Sequence, residues 1–275
     1  CPFHNEKTPS FVVNSSRGFY KCFGCGEGGD AISFVMKTSS LSYPEAIEKL
    51  AAKYNVHLEL TDDNRTKEQI ESERQKKETA TLLLNTASLR YQRELKNHPT
   101  VKSYLLEKRQ WDDDTIAEWG IGFAPHSDFL HGDILKSKKV TTAEEIGLIR
   151  IFGDKMYDAM NKRITFPISD HRAQIIGLAG RLIDNADKDQ AKYVNPKDSF
   201  LYNKSRVLFG LDKAINGKAF KAHGWAILTE GYADVISMHQ CGYNNTVASC
   251  GTALTKEQAR LLRKQTDTVI VMRDG

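Results

Sequence analysis

The sequence predicts a chain of two fold classes, α+β in its first part and α/β in its last. Three observations carry this reading. The first 25 residues hold two pairs of metal-ligating residue types, Cys1-x-x-His4 and Cys22-x-x-Cys25, beside short β-rich runs. Residues 62–77 are nearly all polar, with charge of both signs. From Trp225 onward, apolar runs alternate with helical segments in strand–helix–strand–helix–strand order, the pattern of a parallel sheet covered by helices.

A length of 275 residues suggests about two domains. With 40% hydrophobic and 27% charged residues the composition is that of an ordinary globular chain. No apolar run approaches the ~20 residues that span a bilayer, and no signal peptide is visible, so no membrane partner is expected and a cytoplasmic location is. The net charge of +4 is mild, and its distribution says more. Residues 111–161 carry 5 Lys+Arg against 10 Asp+Glu, whereas residues 162–206 carry 9 against 5, so the basic block lies just ahead of the apolar–helical alternation. An anionic polymer or nucleotide would need positive charge there, although a solvated charged face explains the same composition.

The N-terminal pairs are separated by the seventeen residues between His4 and Cys22. A two-residue spacer lets both members of a pair grip one ion, and zinc takes four N/S ligands in a tetrahedron. The β-rich runs Ser10–Val13 and Gly18–Lys21, and a turn at Cys25-Gly26, fit a zinc ribbon. So short a ribbon needs the metal's contribution to fold. Disulfides or chance are the competing readings, and disulfides do not suit a chain that otherwise looks cytosolic. A site with four protein ligands has no open position, so its role is structural. Phe11, Phe19, Tyr20 and Phe23, with Lys7, Arg17 and Lys21, are candidates to stack on and neutralise unpaired bases; the alternative is that the aromatics form the ribbon's core.

Asp30 can cap a helix over AISFVMKT, and Pro44 stands at the start of a second, LSYPEAIEKLAAK. The alternation Val56–Leu60 predicts a strand. The polar stretch Asp62–Lys77 reads as a tether, partly helical. Helices are then expected over Thr79–Leu95 and His98–Arg109. A third, TIAEWG, would be capped by Asp112–Asp114 and followed by a turn at Gly122–Pro125. Another helix is expected over Asp128–Lys139. Arg163–Ile168 and Ile175–Gly180 read as strands joined by a turn at Asp170–Arg172. Arg181, Lys192, Asn195 and Lys204 follow. No P-loop is present, and Gly177-Leu-Ala-Gly180 has the wrong spacing for a dinucleotide site. Cys241 and Cys250 lack partner pairs and are expected to be buried thiols; His239 is expected to be structural.

In the final part, the runs Trp225–Thr229, Asn245–Ser249 and Thr268–Met272 are the expected strands. YADVISMHQ and a segment opened by the capping box Thr255–Gln258 are the expected helices. Ligands of such sheets sit at the carboxyl ends of strands. Two strands end in a carboxylate followed by glycine, Glu230-Gly231 and Asp274-Gly275, and Asp234 lies one helical turn after Glu230. If the strands are neighbours, these oxygens converge and suit Mg²⁺ or Mn²⁺. Strands also end in acids simply because they meet water, so each carboxylate alone says little.

Glu230-Gly231-Tyr232-Ala-Asp234-Val-Ile with the later Asp274-Gly275 resembles the TOPRIM domain of bacterial primases and type IA topoisomerases. CPFHNEKTPSF and YKCFGCGEGGDAISFVM resemble the zinc-binding domain of bacterial DnaG-type primases, and YLLEKRQWDDDTIAEWGIGFAP is similar to the segment opening their RNA-polymerase domain. The resemblance implies a zinc ribbon at 1–61, a charged linker at 62–80, a mixed α/β subdomain at 81–222 and a TOPRIM-type parallel sheet at 223–275. The family motif ends in Asp-x-Asp, so the resemblance also implies a piece cut inside its own site, lacking residues before Cys1 and after Gly275. It implies zinc on Cys1, His4, Cys22 and Cys25, and magnesium on Glu230 and Asp274. Catalysis would fall to Glu230, Asp234 and Asp274, with Glu230 a metal ligand or a general base. Arg163, Arg181, Lys192, Asn195 and Lys204 would hold nucleotide and template. The implied activity is template-directed synthesis of short RNA primers on single-stranded DNA from ribonucleoside triphosphates, at the bacterial replication fork. A replicative helicase would be met through a further C-terminal domain. The competing readings are another TOPRIM enzyme, a topoisomerase or nuclease, and a non-catalytic single-stranded DNA-binding piece.

Overall fold

A computed structural model describes residues 1–58, 66–183, 191–249, 251 and 253–272. The chain divides into two compact units, Cys1–Arg65 and Thr66–Gly275.

In the first unit β1 (Phe11–Asn14), β2 (Phe19–Cys22) and β3 (Gly28–Asp30) form one antiparallel sheet. Strand β2 alternates, with Tyr20 and Cys22 buried and Phe19 and Lys21 outward. Two helices follow, α1 (Ala31–Ser39) and α2 (Tyr43–Tyr54). The Asp30 carboxylate caps α1 by accepting from the Ser33 amide at 2.7 Å. Glu45 accepts from the Ser42 amide at 2.7 Å at the start of α2, where Pro44 occupies the first turn. Of the strand expected at Val56–Leu60, the described residues Val56–Leu58 form none, and the rest lies outside the described residues.

The second unit opens with a 30-residue helix, α3 (Lys67–Lys96), capped reciprocally by Thr66 and Gln69. The sequence suggests a tether over much of its first third. The structure continues the helix through it, because the polar residues there are strong helix formers with intrahelical pairs such as Glu71–Arg74. Further on, Ala80, Leu84, Ala87 and Tyr91 point one apolar stripe into the core. After α4 (Pro99–Ser103) comes a π-helical turn (Tyr104–Lys108), and then α5 (Asp113–Glu118), capped by Asp112 accepting from the Thr115 amide at 2.7 Å. Gly122–Ala124, expected as a turn, is a buried strand, β4. Helices α6 (His131–Ser137) and α7 (Val140–Glu145) follow, then a two-stranded hairpin, β5 (Ile149–Phe152) and β6 (Lys155–Asp158), that the sequence reading does not contain. Next come β7 (Arg163–Ser169), β8 (Ile175–Leu182) and β9 (Tyr193–Val194), giving an antiparallel sheet of order β4-β7-β8-β9.

A 3₁₀ turn (Lys204–Arg206), α8 (Leu211–Asn216) and α9 (Ala219–His223) lead into β10 (Ala226–Thr229), α10 (Tyr232–Gln240), β11 (Thr246–Ala248), α11 (Lys256–Arg263) and β12 (Val269–Val271). The order β11-β10-β12 is all parallel, so the strand ending at Glu230 is central and β12 is its direct neighbour. One core binds the four-stranded antiparallel sheet to the parallel sheet. Phe166 of β7 stacks on Tyr232 of α10 at 5.6 Å between ring centroids, and Trp111, Phe209 and Ile236 pack around them. Trp119 covers His239, whose ring nitrogen meets the Thr246 carbonyl at 2.9 Å. Cys241, expected buried, is exposed, because it lies just past the last turn of α10; Cys250 lies outside the described residues. Among the described residues no helix is long and apolar enough to cross a membrane.

Candidate functional site

The first unit brings Cys1, His4, Cys22 and Cys25 together, with their ligand atoms within 4.8 Å of one another. Cys1 Sγ and Cys25 Sγ are 4.0 Å apart, and Cys22 Sγ is 3.8 Å from His4 Nδ1. A tetrahedron around Zn²⁺ has edges of roughly 3.5–3.8 Å, so the four donors fit that ion with little adjustment. The other histidine nitrogen, Nε2, faces the Glu6 carboxylate at 3.4 Å, the carboxylate–histidine arrangement that fixes a ligating imidazole. Hydrogen bonding from Ser10 holds the Glu6 carboxyl down to about 2, so it is an anion in that role. Burial pushes the Cys22 thiol up, but the neighbouring Ser10 hydroxyl and the Cys25 and Gly24 amides outweigh it and bring the thiol down to about 7. The thiolate is the ligating form. Gly24 is needed where it stands, since a Cβ there would lie 2.6 Å from Ser10 Oγ and 2.9 Å from His4 Nε2.

The aromatic candidates of this unit divide. Tyr20 and Phe11 join Phe3 and Phe34 in a cluster with ring centroids 5.3–6.1 Å apart, which is core. Phe19 and Phe23 are exposed, as are Lys7, Arg17 and Lys21.

In the second unit Glu230 follows the last residue of β10 and lines a cavity of about 320 Å³ with Thr229, Ser249, Gly251, Val271 and Met272. The parallel sheet places this cavity at the carboxyl ends of all three strands. Asp234 Oδ2 accepts from the Gly231 amide at 3.1 Å, so its carboxylate fixes the turn that presents Glu230. Asp274 lies outside the described residues.

Two of the basic-region residues reach the same loop. Lys204 Nζ donates to the Gly251 carbonyl at 3.4 Å. Asn195 lies beside it: a Cβ on Gly251 would come 3.2 Å from Asn195 Nδ2. Gly251 thus lets both side chains close on the rim of the cavity, and its φ of +87° suits glycine. Asn195 Oδ1 accepts from the Tyr232 hydroxyl at 2.5 Å, which ties the rim to the helix after Glu230. The Arg181 guanidinium lies between the rings of Tyr104 and Tyr193, 5.4 and 5.6 Å from their centroids, and donates to the Tyr104 hydroxyl. It is only 8% exposed, and its Nε has no partner among the described residues. No carboxylate pairs with it among the described residues; the two ring faces and the Tyr104 hydroxyl meet its charge.

Arg163 does not share this side. The β7–β8 register pairs Arg163 with Leu182 and Ile164 with Arg181, so the two arginines emerge on opposite faces of the sheet. Arg163 is 5% exposed, its charge disfavoured by burial and then by Arg150, and its Nη1 donates to the Lys192 carbonyl at 3.4 Å. Lys192 is exposed just before β9.

Sequence reasoning passes over Glu6, Tyr104, Tyr193, Tyr232 and Gln258. Tyr232 stands inside the motif that singles out Glu230 and Asp234, and Glu6 stands two residues after His4, so both had a signal. Gln258 reads only as half of a capping box, yet it is 0% exposed and its amide donates to the Lys204 and Val207 carbonyls at 3.1 and 2.8 Å.

Comparison with known proteins places three family descriptions along the chain. Residues 1–66 match the CHC2 zinc finger, residues 90–215 the N-terminal domain of the DNA primase catalytic core, and residues 224–275 the Toprim domain. A DNA primase of Clostridium acetobutylicum is 38% identical over 278 residues, covering 100% of this chain and 45% of that protein. Among solved structures, the zinc-binding and RNA polymerase domains of the Aquifex aeolicus primase match at a TM-score of 0.67 and 34% identity, over 100% of this chain and 64% of that one. The RNA polymerase domain of Mycobacterium tuberculosis primase DnaG matches at a TM-score of 0.64 and 31% identity, over 72% of this chain and 67% of that one. The chain spans about half the length of the curated relatives it matches.

Proposed function

Since the chain belongs to the bacterial DnaG primase family, we propose that it carries the zinc-binding part and the leading part of the catalytic core of an enzyme that makes short RNA primers on single-stranded DNA. We divide it as a ribbon at 1–61, a mixed subdomain that takes in helix α3 from Lys67 and runs to 222, and a TOPRIM subdomain at 223–275. The observation that carries the proposal is the cavity at the carboxyl end of β10, where Glu230 lies under a rim formed by Asn195, Lys204 and Gly251.

In the proposed reaction the 3′-hydroxyl of one ribonucleotide attacks the α-phosphate of the next nucleoside triphosphate, forming a phosphodiester and releasing pyrophosphate. Glu230 and Asp274 are the carboxylates to hold Mg²⁺ or Mn²⁺, which when bound supplies positive charge against the triphosphate. Glu230 also has the chemistry to accept the hydroxyl proton. Asp234 holds the turn behind it. Lys204, Asn195 and Arg181 bind the triphosphate or the template backbone, and Lys192, exposed just before β9, adds charge for the template. Arg163 acts as a positioning residue under Lys192. A replicative helicase at the replication fork is the partner that family membership suggests.

The test is Glu230→Gln in the complete protein, assayed for primer synthesis on a single-stranded template. Synthesis should fall by at least about 10²–10³-fold, with thermal unfolding unchanged. Synthesis at the parent rate would remove Glu230 from the mechanism.

A further inference from the structure

The hairpin of β5 and β6 has an inner face that packs at its base, with Ile151 left exposed towards the turn, and an outer face that packing does not explain. Ile149 and Asp158 are buried inside, and Met156 packs on the same core. Side chains alternate along a strand, so Arg150, Phe152, Lys155 and Tyr157 share the other face. The register sets Arg150 opposite Tyr157 and Phe152 opposite Lys155, a cation facing a ring in both pairs. The two rings lie 6.0 Å apart and 60° inclined, and Phe152 is 67% exposed. Neither Arg150 nor Lys155 makes an ion pair among the described residues. The nearby acids do not neutralise this face: Asp158 accepts from the buried Tyr91 hydroxyl, and Asp154 belongs to the turn. Arg150 instead lies near enough to another arginine, Arg163, to disfavour its charge.

A single exposed phenylalanine needs no explanation. Two rings alternating with two unpaired cations match one ligand chemistry, a chain of flat bases on an anionic backbone. Rings stack on unpaired bases and cations neutralise the phosphates between them. A duplex would keep its base faces stacked away from Phe152, and an acidic peptide would leave the rings without flat partners. We propose that the outer face of the β5–β6 hairpin is a contact site for single-stranded DNA, separate from the cavity beside Glu230. It lies on the Arg163 side of the β7–β8 sheet, the face turned away from Arg181. The inference rests on the proposed function only for the choice of DNA as the strand.

The experiment measures binding of a labelled oligo-dT to the complete protein by fluorescence anisotropy across a salt series, with thermal unfolding to check the fold. Phe152→Ala should weaken binding roughly 5- to 150-fold and leave the salt slope unchanged. The double variant Arg150→Gln/Lys155→Gln should flatten the slope by about 0.7 for each phosphate left without its cation. Glu230→Gln serves as the reference, because the proposed function predicts parental binding with no synthesis there. Retained synthesis in that variant sinks the proposed function and leaves the hairpin result standing. Parental affinity in Phe152→Ala together with a parental slope in the double variant overturns the hairpin site. A loss confined to oligo-U, with oligo-dT binding intact, overturns it too.

Discussion

Tyr232 joins the parallel sheet to the four-stranded sheet of the second unit. Its ring is 2% exposed, stacked on Phe166 and edge-on to Phe209 at 4.9 Å, while its hydroxyl reaches Asn195. Tyr232→Phe keeps the ring and removes one hydrogen bond, a loss of about 1 kcal/mol. The expected outcome is a KM for nucleotide raised about fivefold with kcat nearly unchanged; Tyr232→Ala should instead unfold the unit more easily, by roughly 3–5 kcal/mol in chemical denaturation. Asp158 gives the pH counterpart. Burial pushes its carboxyl from 3.8 up to about 6, and the Tyr91 hydroxyl and Met160 amide, each at 2.8 Å, recover only part of that cost. The folded state therefore holds this proton more tightly than the unfolded one. Its contribution to stability is fully present below about pH 4 and is lost as pH rises towards about 6, by roughly 3 kcal/mol. Asp158→Asn cannot ionise, so its stability relative to the parent should rise between pH 4 and 6; a constant difference across that range would refute the assignment. At this scale the sequence showed the clustering of Cys1, His4, Cys22 and Cys25 and the acid that follows β10, since spacing and position suffice to find them. It did not show the Tyr232–Asn195 or Tyr91–Asp158 bonds, whose partners stand 37 and 67 residues apart.

Among the elements, those with local signals were legible and those made by pairing were not. Asp30, Asp112 and Thr255 cap the helices they precede, because a cap is written in the residues beside it. Strand β4 is three residues buried on both faces, so it has no alternation to read, and only its pairing with β7 makes it a strand. The π-helical turn at Tyr104–Lys108 has no sequence rule comparable to a cap, yet it carries the tyrosine that meets Arg181. Helix α11 shows how an element can serve a site it does not touch. Its third residue, Gln258, is anchored by Thr255 and spends its side-chain amide on the carbonyls that flank the Lys204 turn; Thr255 Oγ1 adds a bond to the Ser205 carbonyl at 2.6 Å. Gln258→Leu leaves two carbonyls without this donor, at a cost of about 1–3 kcal/mol. Because those carbonyls set the Lys204 backbone, the KM for nucleotide should rise along with the loss of stability. Glu257→Gln, on the exposed side of the same turn, should change neither. A Gln258→Leu variant destabilised but with a parental KM would mean that α11 supports the fold and not the site.

The whole molecule is two units whose stability has different sources. Among the described residues the larger has three apolar clusters, built around Trp111 and Phe166, around Tyr91 and Leu84, and around Leu228 and Leu262. Among its described residues the smaller buries few large side chains: Tyr20 and Leu41 are the large ones, joined by Cys22, Ala46 and Ala51. A unit of that size buries too little to be stable on apolar area alone. Ligation by three thiolates and an imidazole supplies apparent free energy on the order of 10–16 kcal/mol in comparable small zinc folds. The spacing of the four ligands makes this legible in the sequence, whereas the extent of the larger unit is not, since its first helix begins inside a stretch that looks like a tether. Calorimetry of the zinc-loaded protein should therefore separate two events. A chelator, or Cys22→Ser, should abolish the transition of Cys1–Arg65 and leave that of Thr66–Gly275 within a few degrees of its parental midpoint. Mass spectrometry should show one zinc lost per chain at the same chelator concentration. If the smaller unit keeps its cooperative melting after the metal is gone, its four-ring aromatic cluster holds it without zinc. If both transitions collapse together, the two units fold as one, and the division at Arg65 has no thermodynamic meaning.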